Sequence, residues 1–256
     1  MIKQYGDIGV NKYREMNDPR IVKGFRVIKR EGVLVFIQRF SRFLKRKLLI
    51  VLTPFVIALT RPGKFLYNKE RLTYFRHVKT VTWTNERAIE IPIIMNYIKK
   101  FSSKKILEVG AVLPQYFPKI KKDTIDKFEK GKNIMNIDVL DYKPIKKYDL
   151  IVSISTLEHV GYDDDVKNPK GTINAVNALK ENCLATGGKM VITLPIGYNQ
   201  NVDKLIFSNE LAFDEKVFFK KKNAFNKWQI VSPDKAKGAK FGKENAETVV
   251  IGVINK

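Results

Sequence analysis

Residues able to bind a nucleoside recur at the ends of short apolar runs in the second half of the chain. In a doubly wound sheet, ligands bind outside the carboxyl ends of the strands, so residues at those ends collect at one edge. A carboxylate after the second strand suits a ribose diol, and a glycine after the first lets the backbone approach a ligand closely. The residues predicted to meet there are Glu108, Gly110, Asp126, Asp138, Ser155, Glu158 and His159.

Other side chains near this edge allow more than one interpretation. His159 is the candidate general base, because imidazole titrates near neutrality, but Glu158-His159 can equally order the loop after its strand. Glu158, Tyr198 and Asn199 are candidate substrate contacts, although a turn role fits Tyr198-Asn199 as well. The run Asp163–Asp165 fits a cation or polyol site, or charges that favour the start of a helix. Glu86, Arg87 and Glu90 belong to a helix that either covers the site or lies at the surface.

Several chemistries are excluded by composition. One cysteine and two histidines cannot form a Cys- or His-rich metal centre, so no metal site is predicted. The P-loop, HExxH and GxSxG patterns are absent, which argues against a P-loop NTPase, a zinc protease and an α/β-hydrolase.

Strand and helix patterns alternate from Lys104 onwards, which is typical of a mainly parallel sheet. We predict an α/β, Rossmann-like, doubly wound fold with an antiparallel terminal strand. Only 11 residues separate Asp126 from Asp138, so the crossover there is predicted to be a loop. The predicted strands are 104–110, 123–129, 133–142, 148–155 and 188–197, with a helix over 172–184 and a terminal antiparallel pair formed by 227–232 and 247–255.

The order of these segments resembles the small-molecule type of class I S-adenosylmethionine (SAM) dependent methyltransferases. The resemblance covers residues 104–197 and rests on ILEVG, TIDKFE, NIDVLDY, KYDLIVSISTLEHV and ENCLATGGKMVITLP. It implies SAM as cofactor, with Glu108 and Gly110 beside its methionine part and Asp126 on the ribose. It also implies Asp138 at the adenine amine, with Ser155 in the same pocket. The loop GAVLPQ (110–115) departs from the family's GxGxG pattern. Two alternatives follow: Val112 and Leu113 crowd the methionine end of SAM, or the loop takes another path.

The N-terminal part of the chain is basic and partly apolar. Residues 1–100 hold 22 Lys and Arg against 7 Asp and Glu, although the whole chain carries +22. Residues 33–47 are predicted to form an amphipathic helix, and the apolar run 48–60 is too short to cross a bilayer unaided. Pro54 is predicted to kink or break any helix there. The segment is expected either to lie on an anionic membrane or to pack as a helical hairpin on protein. No signal peptide is predicted.

These features predict three parts: a basic N-terminal region (1–63), a connecting region with a lead-in helix that starts near Pro92 (64–103), and a methyltransferase-like domain (104–256). The expected function is SAM-dependent methylation of a small molecule, lipid-linked sugar or glycan. Residues 32–60 are expected to contact an anionic membrane, with a cytoplasmic location at the inner face of the cell membrane. A nucleic-acid (RNA) methyltransferase and a non-catalytic scaffold are the alternatives, and a nucleic-acid partner is disfavoured because no stacking aromatic and basic array is found. The oligomeric state is not predicted.

Overall fold

The computed structural model describes residues 28–29, 32–242 and 245–256. The chain divides into two units, Met1–Phe55 and Val56–Lys256. Residues 64–103 therefore group with residues 104–256 in one unit. None of the helices in the described ranges has the length and apolar character needed to cross a membrane.

Helix α1 (Val33–Leu59) is one continuous element of 27 residues. The sequence predicted a kink or a break at Pro54, and the break is contradicted, because the helix continues through this residue. Proline removes one backbone hydrogen bond and crowds the carbonyl one turn earlier, but the hydrogen bonds of the flanking turns keep the two halves in one helix. Large apolar side chains at spacings of three and four remain exposed along the helix: Val33, Ile37, Phe40, Leu44, Leu48, Val51 and Phe55.

A β-hairpin and a helix precede the main sheet. Strands β1 (Lys64–Tyr67) and β2 (Glu70–Thr73) pair antiparallel, and Asn68 and Lys69 form the turn with positive φ. This hairpin was not predicted. Helix α2 (Arg87–Lys100) begins five residues before Pro92, so its predicted start was wrong. The Asn85 side chain accepts a hydrogen bond from the Arg87 amide, which satisfies a free donor of the first turn.

The main sheet is formed by seven strands: β3 (Ile106–Val109), β4 (Asp123–Ile125), β5 (Tyr148–Ile154), β6 (Leu184–Pro195), β7 (Glu215–Lys221), β8 (Trp228–Val231) and β9 (Thr248–Asn255). Their order in the sheet is β4-β3-β5-β6-β9-β7-β8. Strands β3 to β6 are mutually parallel, whereas β9 runs antiparallel between β6 and β7, and β8 pairs antiparallel with β7. The predicted Rossmann-like, mainly parallel fold with a reversed terminal strand is confirmed.

The sheet is covered on both faces. Along β6, Met190 and Ile192 point to one hydrophobic cluster and Val191 points to the other, as the two-residue period of a strand requires. The first cluster lies under helices α3 (Gly171–Ala178), α4 (Gln200–Phe207) and α5 (Pro233–Ala236). The second cluster lies under α2 and the β1–β2 hairpin.

Three predicted elements differ from the structure. Strand 123–129 ends at Ile125, and the predicted strand 133–142 is reduced to one parallel bridge between Met135 and Ile125. The crossover between them is a loop, as predicted. The helix predicted over 172–184 changes to a π-turn (Leu179–Cys183) before β6. The predicted pairing of 227–232 with 247–255 was wrong, because the unpredicted strand β7 separates β8 from β9.

Candidate functional site

The carboxyl ends of β3, β4, β5 and β6 bring the predicted residues to one edge of the sheet. Glu108 is the penultimate residue of β3, and its side chain is fully buried. Its Oε1 accepts hydrogen bonds from the amides of Val112 (3.1 Å) and Leu113 (2.7 Å), and its Oε2 lies 2.5 Å from Lys122 Nζ. Burial raises the pKa of Glu108, and Lys122 opposes that shift. Glu108 therefore holds the loop that follows β3.

The loop after Gly110 packs its larger side chains into the core. Leu113 is completely buried in the cluster under α2, and Val112 packs against the same cluster. These two side chains therefore contribute to the core. Gly110 has φ +89°, and a Cβ there would lie 2.2 Å from Thr156 Oγ1. In this structure the glycine is thus required by a close approach of the chain after β5.

The two acids predicted to bind the nucleoside already have partners in the structure. Asp126 Oδ2 accepts a hydrogen bond from the Ala111 amide (2.9 Å), and Oδ1 accepts bonds from the amides of Phe128 and Glu129 (both 2.8 Å). Asp138 Oδ2 lies 2.9 Å from Lys127 Nζ. Burial would raise the pKa of Asp138, but hydrogen bonds from the Leu140 amide and Lys127 outweigh it, and the pKa lies below its usual value.

Lys127 also lies 3.0 Å from Asp164 Oδ1 and so bridges two loops. Asp164 Oδ2 in turn accepts a hydrogen bond from the Gly161 amide. The acidic run at 163–165 is therefore held by a lysine and a backbone amide, and no helix begins there. Among the described residues, no group of three or more His, Cys, Asp or Glu side chains is placed to hold a metal ion.

A buried polar cluster lies where the start of α2 meets the ends of β5 and β6. Glu90 is completely buried, and its Oε1 accepts hydrogen bonds from Ser155 Oγ (2.6 Å) and Thr193 Oγ1 (2.7 Å). Arg87 pairs with the other oxygen of Glu90. The interpretation of α2 as a surface helix was therefore wrong at Glu90. Ser155 has φ +38°, a strained conformation for a non-glycine residue, and it directs its hydroxyl to this cluster.

Glu158 adds an unsatisfied acceptor to the cluster. Its side chain is 1% exposed, and Oε2 has no hydrogen-bond partner among the described residues. Burial and the charges of Glu90 and Glu86 raise the pKa of Glu158 well above its usual value, although Arg87 opposes them. Burial, followed by the charge of Glu90, likewise raises the pKa of Glu86 to about 7. Glu86 and Glu158 are thus two carboxyl groups near this cluster whose pKa values are raised.

An open aromatic face adjoins this cluster. His159 Nδ1 lies 2.5 Å from Asp163 Oδ2, and the same oxygen accepts a hydrogen bond from the Tyr198 hydroxyl (2.7 Å). The His159 and Tyr198 rings are 4.8 Å apart, and Phe241 packs on Tyr198 at 5.2 Å. Hydrogen bonds from Tyr198 and His159 lower the pKa of Asp163 against the opposing effect of burial. Asp163 therefore fixes the orientation of the imidazole.

Asn199 connects the loop that carries His159 to the start of helix α4. Its Oδ1 accepts hydrogen bonds from the amides of Asn201 (3.0 Å) and Val202 (3.4 Å), which caps the start of α4. Its Nδ2 donates to the carbonyl of Glu158 (2.8 Å). The side chain is buried, so Asn199 positions the loop that carries Glu158 and His159.

Sequence reasoning identified the strand-end acids but missed the partners that hold them. Lys122, Lys127, Thr156 and Thr193 belong to the site in space, yet no motif singles them out. A signal existed for Thr193, because it lies in the predicted strand 188–197 close to the same carboxyl edge. Nothing in the sequence distinguishes Lys122 from the other lysines of KIKK (119–122).

The fold and the edge define a Rossmann-like α/β protein with a polar site at the carboxyl ends of its strands. No protein-family model matches the chain, and no curated protein matches it. Among solved structures, it is similar to the N-methyltransferase NodS from Bradyrhizobium japonicum in complex with S-adenosyl-L-homocysteine. That match has 15% identity, covers 62% of this chain and 83% of that chain, and has a TM-score of 0.39.

Two further solved structures show similarity at the same level. A SAM-dependent methyltransferase from Archaeoglobus fulgidus is 17% identical over 64% of this chain and 91% of that chain, with a TM-score of 0.40. The 1,6-didemethyltoxoflavin-N1-methyltransferase from Burkholderia thailandensis is 9% identical over 76% of this chain and 98% of that chain, with a TM-score of 0.38.

Proposed function

We propose that this chain is a SAM-dependent methyltransferase whose acceptor is a small molecule, a lipid-linked sugar or a glycan. The observation that carries the proposal is that Asp126 directly follows β4, and Glu158 and His159 lie in the turn after β5, at the carboxyl ends of two strands of a mainly parallel sheet. The ordered motifs of residues 104–197 support the same class. SAM supplies an electrophilic methyl group when bound.

The residues at the edge fit the polar groups of SAM. Asp126 Oδ2 accepts one amide hydrogen, which leaves a lone pair for a ribose hydroxyl. Glu158 Oε2 is buried without a partner and suits the ammonium of an amino-acid group, while Arg87 beside it suits a carboxylate. Gly110, Glu108 and Ser155 shape the loops around these groups, and Asp138 becomes available to an adenine amine when Lys127 moves aside.

In the proposed reaction, His159 removes the proton from an acceptor hydroxyl, and Asp163 holds the imidazole in position through Nδ1. Methyl transfer to a nucleophile depends mainly on alignment and on exclusion of water. Tyr198 and Phe241 supply an apolar face against which an acceptor ring can lie. Asn199 keeps the Glu158 carbonyl, and with it His159, at a fixed distance from that face.

A membrane-associated acceptor is supported by α1. Apolar side chains are exposed along this helix, and the cationic residues Arg42, Lys45 and Lys47 lie between them in the sequence. Such a helix binds in the plane of an anionic bilayer, with its apolar stripe among the acyl chains and its cations near phosphates. We therefore propose that residues 32–60 contact an anionic membrane surface, which in a cell would be the cytoplasmic face.

A non-catalytic scaffold is the second candidate, and one observation favours it. Asp126 and Asp138 are already engaged by backbone amides and by Lys127, and Thr156 fills the space beside Gly110. A chain that had lost SAM binding would be expected to close its site in this way.

Calorimetric titration of S-adenosylhomocysteine into the full chain separates the two candidates. We expect binding that Asp126→Asn weakens roughly 10- to 100-fold, the value of a hydrogen bond to a charged group. Asp141→Asn is the matched control, because Asp141 is exposed in a nearby loop and its carboxylate makes no hydrogen bond to a described residue. No binding to a folded wild-type chain, or equal binding by both variants, would contradict the proposal.

A further inference from the structure

A cavity lies on the side of α2 that faces away from the polar cluster. It has a volume of about 830 Å³ and is bounded by the end of α1, strand β2 and helix α2. Its apolar wall includes Ile57, Leu59, Ile91, Met95 and Phe117. This volume lies within the range of sites that bind small molecules. All of its lining residues belong to the unit Val56–Lys256.

Three cations line the same cavity: Arg61, Arg76 and Lys99. No acidic residue is among the described residues that line it, and none of the three cations forms an ion pair with a described acid. Arg76 donates hydrogen bonds to the hydroxyl (2.5 Å) and the carbonyl of Thr60, which fixes the chain after α1. Its remaining N–H groups stay available, because a guanidinium has five donors.

We propose that this cavity binds one anionic phospholipid of a bilayer, with its phosphate between Arg61, Arg76 and Lys99 and acyl carbon against the apolar wall. The inference rests on the proposed contact of residues 32–60 with a membrane and adds a specific lipid site to it. The cavity combines an apolar wall with three cations, and no acidic residue is among the described residues that line it. Such a cavity is complementary to a molecule with one anionic group and a hydrocarbon part.

A second copy of the chain is disfavoured as the occupant by charge. A two-fold interface brings the same surface of each subunit together, so these cations would face their own copies. The chain carries a net charge of +22, which adds further repulsion at any such contact. A phosphate group removes that repulsion.

Co-sedimentation of the full chain with vesicles tests the site. The vesicles are phosphatidylcholine alone, or an equal mixture of phosphatidylcholine and phosphatidylglycerol. We expect Arg61→Gln/Lys99→Gln to weaken binding to the mixed vesicles roughly 20- to 30-fold, because each cation near an anionic surface contributes about fivefold. The matched control is Lys180→Gln/Lys237→Gln, which removes the same charge from exposed positions outside the cavity. It should change binding by about twofold or less.

A neutral variant tests the cavity itself. Ala58 is exposed in the last turn of α1 and lines the cavity, so Ala58→Trp should fill it and reduce the preference for phosphatidylglycerol without a change of charge. Equal losses in the two double variants, or an Ala58→Trp variant with unchanged lipid preference, would overturn the proposal. A dimer that Ala58→Trp dissociates in lipid-free buffer, with vesicle binding unchanged, would assign the cavity to a second copy instead.

These measurements need neither cofactor nor methyl acceptor. Titration of S-adenosylhomocysteine into the same variants should give wild-type values, because none of the substituted residues touches the carboxyl edge. Loss of lipid binding with cofactor binding intact supports the lipid site alone. Lipid binding without cofactor binding would support the lipid site and contradict the proposed methyltransferase activity.

Discussion

Lys122 Nζ lies 2.5 Å from Glu108 Oε2, and both side chains are almost completely buried, with 3% and 0% of their surface exposed. This pair connects the start of β4 to the end of β3, and Thr124 Oγ1 approaches the same oxygen at 3.5 Å. The other carboxylate oxygen of Glu108 accepts hydrogen bonds from the amides of Val112 and Leu113. The buried pair therefore holds the loop after Gly110 in place.

Lys122→Met should destabilise the fold by about 3–5 kcal/mol, because it leaves the Glu108 carboxylate buried without its countercharge. Glu108→Gln/Lys122→Met should recover most of that loss, since neither partner is then charged. Urea unfolding measures both. Lys121→Met, at the exposed neighbouring position, is the control and should change stability by less than about 0.5 kcal/mol. A Lys122→Met variant as stable as this control would refute the assignment.

Gly110→Ala should destabilise the chain by about 2–4 kcal/mol, because it combines a positive φ with a methyl group pressed against Thr156. Thr156→Ala in the same chain should restore the part due to the clash with Oγ1 and Cγ2, but neither the contact with Cβ of residue 156 (2.8 Å) nor the backbone strain. Thermal unfolding of the single and double variants gives the two contributions. Gly187→Ala is the control for strain alone, because Gly187 has φ +73° and open space around it. Equal losses at the two glycines would show that Thr156 does not crowd residue 110.

Glu158→Gln should stabilise the folded chain at pH 7 relative to the wild type, because it removes a carboxyl group that burial disfavours in its charged form. The pKa of Glu158 is raised in the folded state, so the folded chain binds the proton more tightly than the unfolded chain does. The free energy of unfolding therefore falls as the pH rises above the unfolded value of about 4.3. Glutamine is neutral at every pH and removes this dependence. Unfolding at pH 5.5 and pH 8 should show a smaller difference in the variant than in the wild type, and identical slopes would contradict the assignment.

Asn199→Ala should cost about 1–2 kcal/mol through loss of the cap of α4, and the Glu158 carbonyl also loses its donor. If His159 removes the proton from the acceptor hydroxyl as proposed, the variant should also lower kcat/KM for methyl transfer. Asn174→Ala, at an exposed position in α3, is the matched control and should leave both quantities nearly unchanged. Loss of stability with unaltered kcat/KM would restrict Asn199 to a structural role.

The fold was largely predictable because its signals are local. The apolar runs of β3, β5, β6 and β9 are bounded by charged and turn residues. Strands buried on both faces require such runs, and this holds for the parallel strands β3, β5 and β6 and for the antiparallel β9 between β6 and β7. Strand β7 was missed because EKVFFKK mixes lysines with its apolar residues, although Phe218 and Phe219 are almost fully buried. The 133–142 segment was over-predicted because its apolar pattern is real, yet the partner strand β4 ends after three residues.

The site was predictable only at the strand ends. The positions of Asp126, Glu158 and His159 at the edge could be predicted, because a residue that follows a parallel strand lies at the carboxyl edge of the sheet. The contacts of Glu90 with Ser155 and Thr193 join residues 65 and 103 positions apart in sequence, and such pairs leave no periodic signal. Helix α1 was predicted in two parts because proline was given more weight than the continuous apolar spacing on either side of it.

The reversed strand β9 has a consequence for how the chain is made. It is the last of the described strands to be synthesised, yet it pairs with both β6 and β7 inside the sheet. Until residues up to Asn255 have left the ribosome, those two strands each keep an unpaired edge that can join to another nascent chain. A chaperone that covers open strands, or a slow late step of sheet closure, would therefore act on this protein after nearly all of these residues have been translated.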